Sequence, residues 1–344
     1  MFPAESGFRM PAEWAAHERT FISWPVRESM CYPEDYARVS AGYAEFARAV
    51  AEFEPVTVLV NPGESQKVGG LFENPDISIL TVPHNDSWIR DNGPTFLTNC
   101  NGGRAGINWR FNAWGEKYSP WDLDDQAAPA ILEHFHMRRF DAPIVLEGGS
   151  IHVDGEGTLL TTEQCLLNPN RNPRMGRGQI EEELKKFLNI QKVIWLKNGL
   201  SGDETDGHVD NIACFAMPGK VLIQVTDDPN DANFAVTREN LRILERATDA
   251  HGRKIEVIPV LQPPEREFEG ERLTLSYLNF YLCNGGVILP IFGEETDLAA
   301  EKVISEAFPD RRIRTIDGMA IIKEGGNVHC STQQMPAIHG SELA

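Results

Sequence analysis

The stretch that decides the fold is residues 34–60, EDYARVSAGYAEFARAVAEFEPVTVLV. Large apolar side chains recur every three or four residues along its first part, Glu34–Phe53: Tyr36, Val39, Tyr43, Phe46, Val50 and Phe53. This spacing predicts one buried face of an amphipathic helix. The apolar run that follows at once, Pro55–Val60, predicts a strand. Residues 34–60 therefore predict a helix-then-strand unit.

The same unit recurs four more times along the chain. The further helix-then-strand pairs are Gln126–Arg139 with Ala142–Leu146, Gln179–Leu188 with Lys192–Leu196, Asn233–Ala250 with Lys254–Val260, and Asp297–Phe308 with Arg312–Ile316. Each copy exposes an apolar face that only its neighbours can cover. We therefore expect residues 1–344 to form one closed, pseudo-symmetric α/β domain. An ordinary α/β sheet with coincidental spacing is the alternative.

Composition limits the class of protein. A length of 344 residues with 41% hydrophobic content is enough to bury a sizeable core. The 51 acidic and 32 basic residues give a formal charge of −19, which disfavours nucleic acids and anionic membranes as partners and favours a cationic ligand. Plain solubility explains the charge equally well. With neither a membrane-spanning apolar run nor a signal-peptide pattern, we expect a cytoplasmic protein.

The six cysteines are widely spaced and form no C-x-x-C pair, so no zinc ribbon or dithiol motif is visible: Cys31, Cys100, Cys165, Cys214, Cys283 and Cys330. In a reducing compartment they are expected to be free thiols. Cys165, Cys214 and Cys283 lie in apolar runs, where a small buried side chain is the better interpretation.

Four short motifs carry the polar chemistry, and each follows one of the repeated units. They are Trp88-Ile-Arg-Asp91, Glu147-Gly-Gly-Ser150, Gly207-His-Val-Asp210 and Gly325-Gly-Asn-Val-His-Cys330. Glu147 lies 56 residues after Asp91, His208 lies 61 after Glu147, and Cys330 lies 122 after His208. Because the motifs are in register with the repeat, we expect the fold to bring them together.

The fourth unit runs instead into a predicted hairpin, Leu275–Cys283 and Val287–Pro290, with turn glycines Gly285 and Gly286. Asn168–Gly178 and Pro263–Arg272 are predicted to be exposed loops, and the first could be an active-site lid.

Cys330 is the candidate nucleophile, and His208 is the candidate acid–base. A model thiol has a pKa of about 8.5, so a positive group must favour the thiolate, either the substrate cation or a protonated His208. On a strand, His208 and Asp210 would point to the same face, whereas His329 would face away from its neighbour Cys330. His208 is therefore the better residue for moving protons, with a structural histidine as the alternative.

Asp91, Glu147 and Asp210 are candidate acceptors for a planar cation. A guanidinium offers five N–H donors in a fixed fork, which carboxylates match in a bidentate fashion. One thiol, one imidazole and three carboxylates suit the binding of a guanidinium and attack at its carbon. For Glu147, a simple Glu-Gly-Gly turn is the alternative.

The motifs resemble the signature segments of the agmatine deiminase family. The matching stretches are Trp88–Pro94, Leu146–Gly157, Asp203–Asn211 and Gly325–Cys330, within a match that runs from Gly7–Trp14 to Thr332–Gln334. The resemblance implies a five-bladed α/β propeller, the pentein fold of guanidine-modifying enzymes. It implies Cys330 as nucleophile, His208 as acid–base, and Asp91, Glu147 and Asp210 around the guanidinium.

The reaction expected from this resemblance is hydrolysis of agmatine to N-carbamoylputrescine and ammonia, a step toward polyamines, with no metal or organic cofactor. Cys330 would attack the guanidinium carbon, His208 would protonate the departing ammonia, and water would hydrolyse the thiouronium. The substrate-binding residues that we expect are Trp88, Asp86, Arg90, Trp114 and Gly325. The resemblance also makes a homo-oligomer the expected assembly.

Three other functions stay open. The first is a peptidyl-arginine or free-arginine deiminase, since the wider family includes bacterial peptidyl-arginine deiminases. The second is a metal-dependent hydrolase, which leaves Cys330 without a role and would draw on two His-x-Asp pairs and one further histidine: His152, Asp154, His208, Asp210 and His329. The third is a binding protein in which the thiol is inert.

Overall fold

A computed structural model describes residues 1–27 and 35–338. This part of the chain is a mixed α/β structure with five sheets of three or four strands and one two-stranded sheet. In four of the larger sheets a first strand runs antiparallel to a second, and a helix then leads to a third strand parallel to the second. The five helix-then-strand units predicted from the sequence are present.

The helices and strands of the first two units have the following bounds. The first unit contains β1 (His17–Ser23), α1 (Tyr36–Ala51), β2 (Val56–Val60), α2 (Ser65–Gly69) and β3 (Ile77–Thr81), and a single turn, α3 (Ile89–Asn92), leads out of it. The second contains β4 (Thr95–Thr98), β5 (Arg104–Arg110), the short turn α4 (Ala113–Glu116), α5 (Ala127–His134) and β6 (Arg138–Val145).

The remaining three units follow the same order. The third contains β7 (His152–Val153), β8 (Thr158–Thr162), α6 (Glu163–Leu166), α7 (Arg177–Leu188) and β9 (Lys192–Leu196). The fourth contains β10 (Ala213–Met217), β11 (Lys220–Val225), α8 (Phe234–Arg246) and β12 (Glu256–Leu261), and is followed by the hairpin of β13 (Glu267–Phe268) and β14 (Glu271–Arg272). The fifth contains β15 (Tyr281–Cys283), β16 (Gly286–Ile291), α9 (Asp297–Ala307) and β17 (Arg312–Asp317).

The last described strand, β18 (Thr332–Pro336), joins the two ends of the described chain. It pairs antiparallel with β1, with Phe21 opposite Gln333, and completes a four-stranded sheet in the order β18-β1-β2-β3. The first unit thus receives its antiparallel strand from the C-terminal part of the chain. Cys330 lies two residues before β18, so this pairing holds the cysteine motif against the first unit.

The apolar periodicity of the sequence produces the core. Along α1, Val39, Tyr43, Phe46 and Val50 are buried and pack with the buried β2. Burial of each large apolar side chain stabilises the fold by roughly 1.5–3 kcal/mol. The remaining units have equivalent apolar clusters between their helix and the neighbouring strands.

Several predicted boundaries are wrong, because tertiary pairing overrides local pattern. The predicted helix Gln126–Arg139 ends at His134. His136 then adopts a left-handed φ of 50°, and β6 begins at Arg138, which pairs with Ala105 of β5. The predicted helix Asn233–Ala250 ends at Arg246. Glu34, the predicted start of the first helix, lies outside the described residues.

The loop predictions have mixed outcomes. The predicted hairpin of Leu275–Cys283 and Val287–Pro290 is present, with Cys283 opposite Gly286. Its first strand, β15, begins only at Tyr281, and the pair β15–β16 opens the fifth unit. Part of Pro263–Arg272, predicted to be an exposed loop, forms the hairpin β13–β14. In Asn168–Gly178, Arg171 is buried, which an exposed loop does not predict.

The cysteines within the described residues are free thiols, and Cys165, Cys214 and Cys283 are buried as expected. Cys31 lies outside the described residues. Within residues 1–27 and 35–338, none of the helices combines the length and the apolar character needed to cross a membrane.

Candidate active site

Five connecting segments, one after each unit, meet at one place. The four sequence motifs occupy α3, the 3-10 turns Gly148–Ser150 and Val209–Asn211, and the turn that carries Cys330. The fifth segment precedes β15 and carries Asn279, whose side chain reaches Cys330. Tyr43 of α1 helps to hold the first and the last of these segments together, because its hydroxyl lies 2.9 Å from the hydroxyls of both Ser87 and Ser331.

Gly149 lies at the centre of the cluster. Its N–H donates to Asp91 Oδ1 at 3.0 Å. A Cβ at this position would lie 2.6 Å from His208 Nδ1, 2.8 Å from Asp210 Oδ2 and 2.9 Å from Asp91 Oδ1. The absence of a side chain therefore lets three ionisable groups from two connecting segments converge on the turn that follows the second unit.

Cys330 is buried beside two polar partners. The Asn279 amide donates to its Sγ at 3.1 Å, and the thiol donates to Asp210 Oδ2 at 3.4 Å. Burial, followed by the negative charges of Asp210 and Asp91, raises the pKa of Cys330 well above its ordinary value. The resting nucleophile is thus a thiol, and an arriving cation would favour the thiolate.

His208 is fully buried between two carboxylates. Its Nδ1 lies 3.6 Å from Asp91 Oδ1, and its Nε2 lies 3.7 Å from Glu147 Oε2. Burial opposes a charge on the ring, but Asp91 and then Cys165 and Glu147 raise the pKa of His208 well above its ordinary value. Neither ring nitrogen has a hydrogen-bond partner among the described residues. The surroundings of His208 therefore favour its protonated form, and each ring nitrogen faces a carboxylate just beyond hydrogen-bond distance.

Glu147 has a partner that the sequence did not suggest. Arg171 donates from Nε to Glu147 Oε1 at 2.8 Å and from its terminal nitrogens to Asp206 and to the carbonyl of Thr205. Burial alone would raise the pKa of Glu147, but Arg171 and His208 lower it. Glu147 is thus an ionised carboxylate that faces His208 and is already paired with the guanidinium of Arg171.

Asp91 forms the wall between His208 and an open cavity. The Trp114 indole donates to Asp91 Oδ2 at 2.9 Å. Burial, opposed by the charge of His208, raises the pKa of Asp91. The residues that line the cavity are Asp86, Trp88, Asp91, Trp114, Tyr118, Glu204, Thr205, Gly325, Gly326 and Cys330.

Four of the five predicted substrate-binding residues line this cavity, namely Asp86, Trp88, Trp114 and Gly325. The structure places Arg90 elsewhere. It is 2% exposed and lies below Cys330, where its Nε donates to the His329 carbonyl at 3.2 Å and its Nη1 to Glu13 Oε1 at 3.3 Å. Its charge is thus directed toward buried protein groups.

The strand predicted for His208 and Asp210 is wrong. Gly207 has a φ of 88°, and Val209–Asn211 form a 3-10 turn in place of a strand. His208 faces Asp91 and Glu147, whereas Asp210 accepts from His329 Nδ1 at 2.9 Å. The side chains of His208 and Asp210 still lie close together, because both pack against Gly149. They do not share one face of a strand.

The ligand set of the metal-hydrolase alternative does not assemble. His152 lies 3.4 Å from Glu13, and Asp154 accepts from the N–H groups of Glu156 and Thr158 in a turn. Among the described residues, three potential ligand atoms lie within 4.8 Å of one another only at Glu147, Cys165 and His208. The two His-x-Asp pairs therefore do not form one metal centre.

Sequence reasoning missed Asn279, Arg171 and Glu13. Asn279 had a usable signal, since it lies in the segment after the fourth unit, 71 residues beyond His208 and 51 before Cys330. Arg171 lies in a polar loop and Glu13 in an irregular N-terminal segment. Neither position has a periodic pattern that predicts burial.

The comparisons with known proteins agree with this geometry. The family model described as Porphyromonas-type peptidyl-arginine deiminase matches residues 9–336. A relative from Legionella pneumophila (strain Philadelphia 1) is 46% identical over 343 residues, covering 98% of this chain and 97% of the relative.

Two relatives carry the name agmatine deiminase. The protein of Stutzerimonas stutzeri (strain A1501) is 44% identical over 358 residues, with 97% of each chain covered. The solved structure of the agmatine deiminase of Enterococcus faecalis superposes with a TM-score of 0.92 at 36% identity, with 98% of each chain covered.

Proposed function

This chain belongs to the family of Porphyromonas-type peptidyl-arginine deiminases, and from that membership we propose that it is an agmatine deiminase. The observation that carries the proposal is the group around Cys330. The Cys330 thiol and the Asp91 carboxylate line the cavity, and next to them Asp210 contacts the Cys330 thiol and His208 contacts Asp91. This set fits a cation that is held by carboxylates and attacked by sulfur.

Asp210 offers an acceptor for the guanidinium. Its Oδ1 is buried and has no hydrogen-bond partner among the described residues, while Oδ2 is engaged by His329 and Cys330. A buried, unpaired carboxylate oxygen is costly, so a donor from the substrate relieves that cost. Asp91, on the other wall, offers a second carboxylate to the same cation.

The substrate cation activates Cys330 by favouring loss of the thiol proton to solvent. The Cys330 thiolate then attacks the guanidinium carbon, and the protonated His208 gives a proton to the departing nitrogen, which leaves as ammonia. Neutral His208 next takes a proton from water as the water attacks the thiouronium carbon. The C–S bond breaks as the remaining hydroxyl proton is lost to solvent, the thiolate is regenerated, and N-carbamoylputrescine is released.

The cavity walls suit the butylamine tail of agmatine. Trp88 and Trp114 present apolar surface, and two carboxylate residues, Asp86 and Glu204, also line the cavity. We assign the binding of the distal ammonium group of agmatine to Asp86 and Glu204. The described cavity lining contains no cationic side chain that would compensate an α-carboxylate.

The roles of the remaining predicted residues follow from their contacts. Glu147, paired with Arg171, keeps His208 protonated and oriented, in place of the direct guanidinium contact expected from the sequence. Arg90 supports the backbone at Cys330, because its own N–H donates to the Cys330 carbonyl at 3.1 Å.

The proposal extends to the whole chain. We assign residues 1–344 to one catalytic domain in which the five units form a five-bladed α/β propeller with a pseudo-fivefold axis. The pairing of β18 with β1 and the meeting of five connecting segments support this arrangement. A cytoplasmic location and a homo-oligomer are further proposals, and light scattering of the purified protein tests the second.

The test of the mechanism is substitution at the nucleophile. Cys330→Ser is expected to remain folded and to lose agmatine turnover, because a hydroxyl is a far weaker nucleophile than a thiolate. In wild-type protein quenched with acid during turnover of agmatine, mass spectrometry of the intact protein is expected to detect an amidino adduct on Cys330. Substantial turnover by Cys330→Ser would remove the covalent mechanism.

A peptidyl-arginine deiminase is the second candidate, favoured by the name of the matching family model. The cavity argues against a peptide, because two of its lining residues are joined by a hydrogen bond in which the Tyr118 hydroxyl donates to Glu204. Ammonia release from an arginine-containing peptide would support this candidate.

A further inference from the structure

A second buried histidine lies between two carboxylates, directly below the nucleophile. His329 Nδ1 lies 2.9 Å from Asp210 Oδ2, and His329 Nε2 lies 2.8 Å from Glu13 Oε1. A neutral imidazole has one N–H donor and one acceptor, so two carboxylate oxygens at these distances require both nitrogens to be protonated. The arrangement Glu13–His329–Asp210 therefore holds an imidazolium.

Glu13 is fixed from several parts of the chain. Besides His329, it contacts Arg90 Nη1 at 3.3 Å from α3 and His152 Nε2 at 3.4 Å from β7. It is only 4% exposed. Burial would raise the pKa of Glu13, but His329, Arg90 and His152 hold it well below the ordinary range. Glu13 is thus an ionised carboxylate with a defined orientation.

The network reaches the nucleophile through one oxygen. Asp210 Oδ2 accepts both from His329 Nδ1 and from the Cys330 thiol. Arg90 adds a backbone link, because its Nε donates to the His329 carbonyl and its N–H to the Cys330 carbonyl. Glu13 is therefore coupled to Cys330 through both a side-chain path and a main-chain path.

We propose that Glu13 is a positioning residue for deimination, which acts through His329 to fix Asp210 and so to set the ionisation and orientation of the Cys330 thiol. This inference rests on the proposed function. The other charged and titratable groups that face the network are Arg90, His152, Asp91, His208 and Cys214. Glu13 does not line the substrate cavity, so its effect differs from that of a binding residue.

The direction of the effect follows from charge. With a neutral side chain at position 13, His329 no longer faces two carboxylates and loses its second proton more readily. Asp210 then lacks its compensating cation, and its negative charge acts fully on Cys330. The thiolate becomes harder to form.

The test uses Glu13→Gln and the pH dependence of Cys330 alkylation by iodoacetamide, followed by mass spectrometry of the Cys330 peptide. We expect the alkylation midpoint to move to higher pH by at least about one unit, and kcat for agmatine to fall by about 10-fold or more with little change in KM. Glu13→Asp retains the charge at shorter reach and is expected to restore part of both properties. It also serves if the glutamine variant does not fold.

Glu54→Gln is the matched control. Glu54 is likewise a buried carboxylate paired with a histidine, His17, whose Nδ1 lies at 3.0 Å. The other ring nitrogen of His17 lies 2.9 Å from the backbone carbonyl of Glu13, so the substitution leaves the Glu13 carboxylate and its contact with His329 in place. It is expected to lower stability without moving the alkylation midpoint. The proposal is overturned if Glu13→Gln leaves the midpoint unchanged, or if Glu54→Gln moves it equally. Because alkylation needs no substrate, this result is separate from any failure of the wild-type protein to hydrolyse agmatine.

Discussion

At the scale of single residues, Gly149 is the position on which the convergence of the site depends. Its missing side chain leaves room for His208, Asp210 and Asp91, each within 3 Å of where a Cβ would lie. We predict that Gly149→Ala lowers kcat/KM for agmatine by about 100-fold or more, because displacement of a reacting group by about 1 Å costs that much. Steady-state kinetics with ammonia as the readout checks this.

The control is Gly178→Ala in α7, where a Cβ meets nothing within 4 Å. Alanine is the better helix former by about 1 kcal/mol, so this variant should be as active as wild type and no less stable. Wild-type activity in Gly149→Ala would show that the three groups are not held together at this point.

Asp124 offers a prediction about pH. It accepts from the N–H groups of Asn85 and Asp86, and burial, with the nearby charge of Asp86, raises the pKa of Asp124 to about 7. In the unfolded chain the pKa is about 3.9. Between these two pH values Asp124 is protonated in the folded state and ionised in the unfolded state. The contribution of Asp124 to the free energy of unfolding is therefore fully present below pH 4 and is lost as the pH rises toward 7.

Asp124→Asn should remove this loss. Urea unfolding at pH 5 and pH 8 is expected to show a variant that gains stability relative to wild type as the pH rises, by at most about 3 kcal/mol. A difference in unfolding free energy that is the same at both values would contradict the assignment.

Single residues also show what the sequence could predict of the site. Cys330, His208, Asp91 and Asp210 were identifiable, because their residue types and their register with the repeat indicate one chemistry. Buried partners such as Arg171 were not. Their burial depends on which loops pack together, and a polar side chain has no periodicity that reveals its partner.

At the scale of elements, β18 joins the C-terminal part of the described chain to β1. Its Met335 is fully buried among apolar side chains that include Phe21 and Leu59. We predict that Met335→Ala lowers the free energy of unfolding by roughly 2–5 kcal/mol through the cavity that it leaves. Leu298→Ala, at a site that is 78% exposed, should change it by less than about 0.5 kcal/mol. Denaturant unfolding measures both, and equal effects would contradict a buried closing strand.

Element types were predicted better than element ends. The helical stripe of α1 and the apolar run of β2 are strong local signals, and both are present. The start of β6 at Arg138 is determined by pairing with β5, and the turn at His208 by the left-handed Gly207. Such boundaries depend on neighbouring units, which local pattern does not contain.

At the scale of the whole molecule, charge and cavity shape together predict substrate preference. The net charge of −19 raises the local concentration of a dication such as agmatine. An α-carboxylate would enter the same negative field and meet Asp86 and Glu204 at the cavity wall. Free arginine would thus lose hydration without gaining a donor.

The central claim is tested most directly by kcat/KM values for agmatine, free arginine and an arginine-containing peptide, with ammonia release as the readout. We predict that kcat/KM for agmatine exceeds kcat/KM for free arginine by at least about 100-fold. The reason is that the site offers no donor to the α-carboxylate of arginine, and a binding site strongly rejects a polar group that it leaves unpaired. The peptide is expected to be poorer still. Comparable values for agmatine and arginine, or for agmatine and the peptide, would contradict the assignment to agmatine.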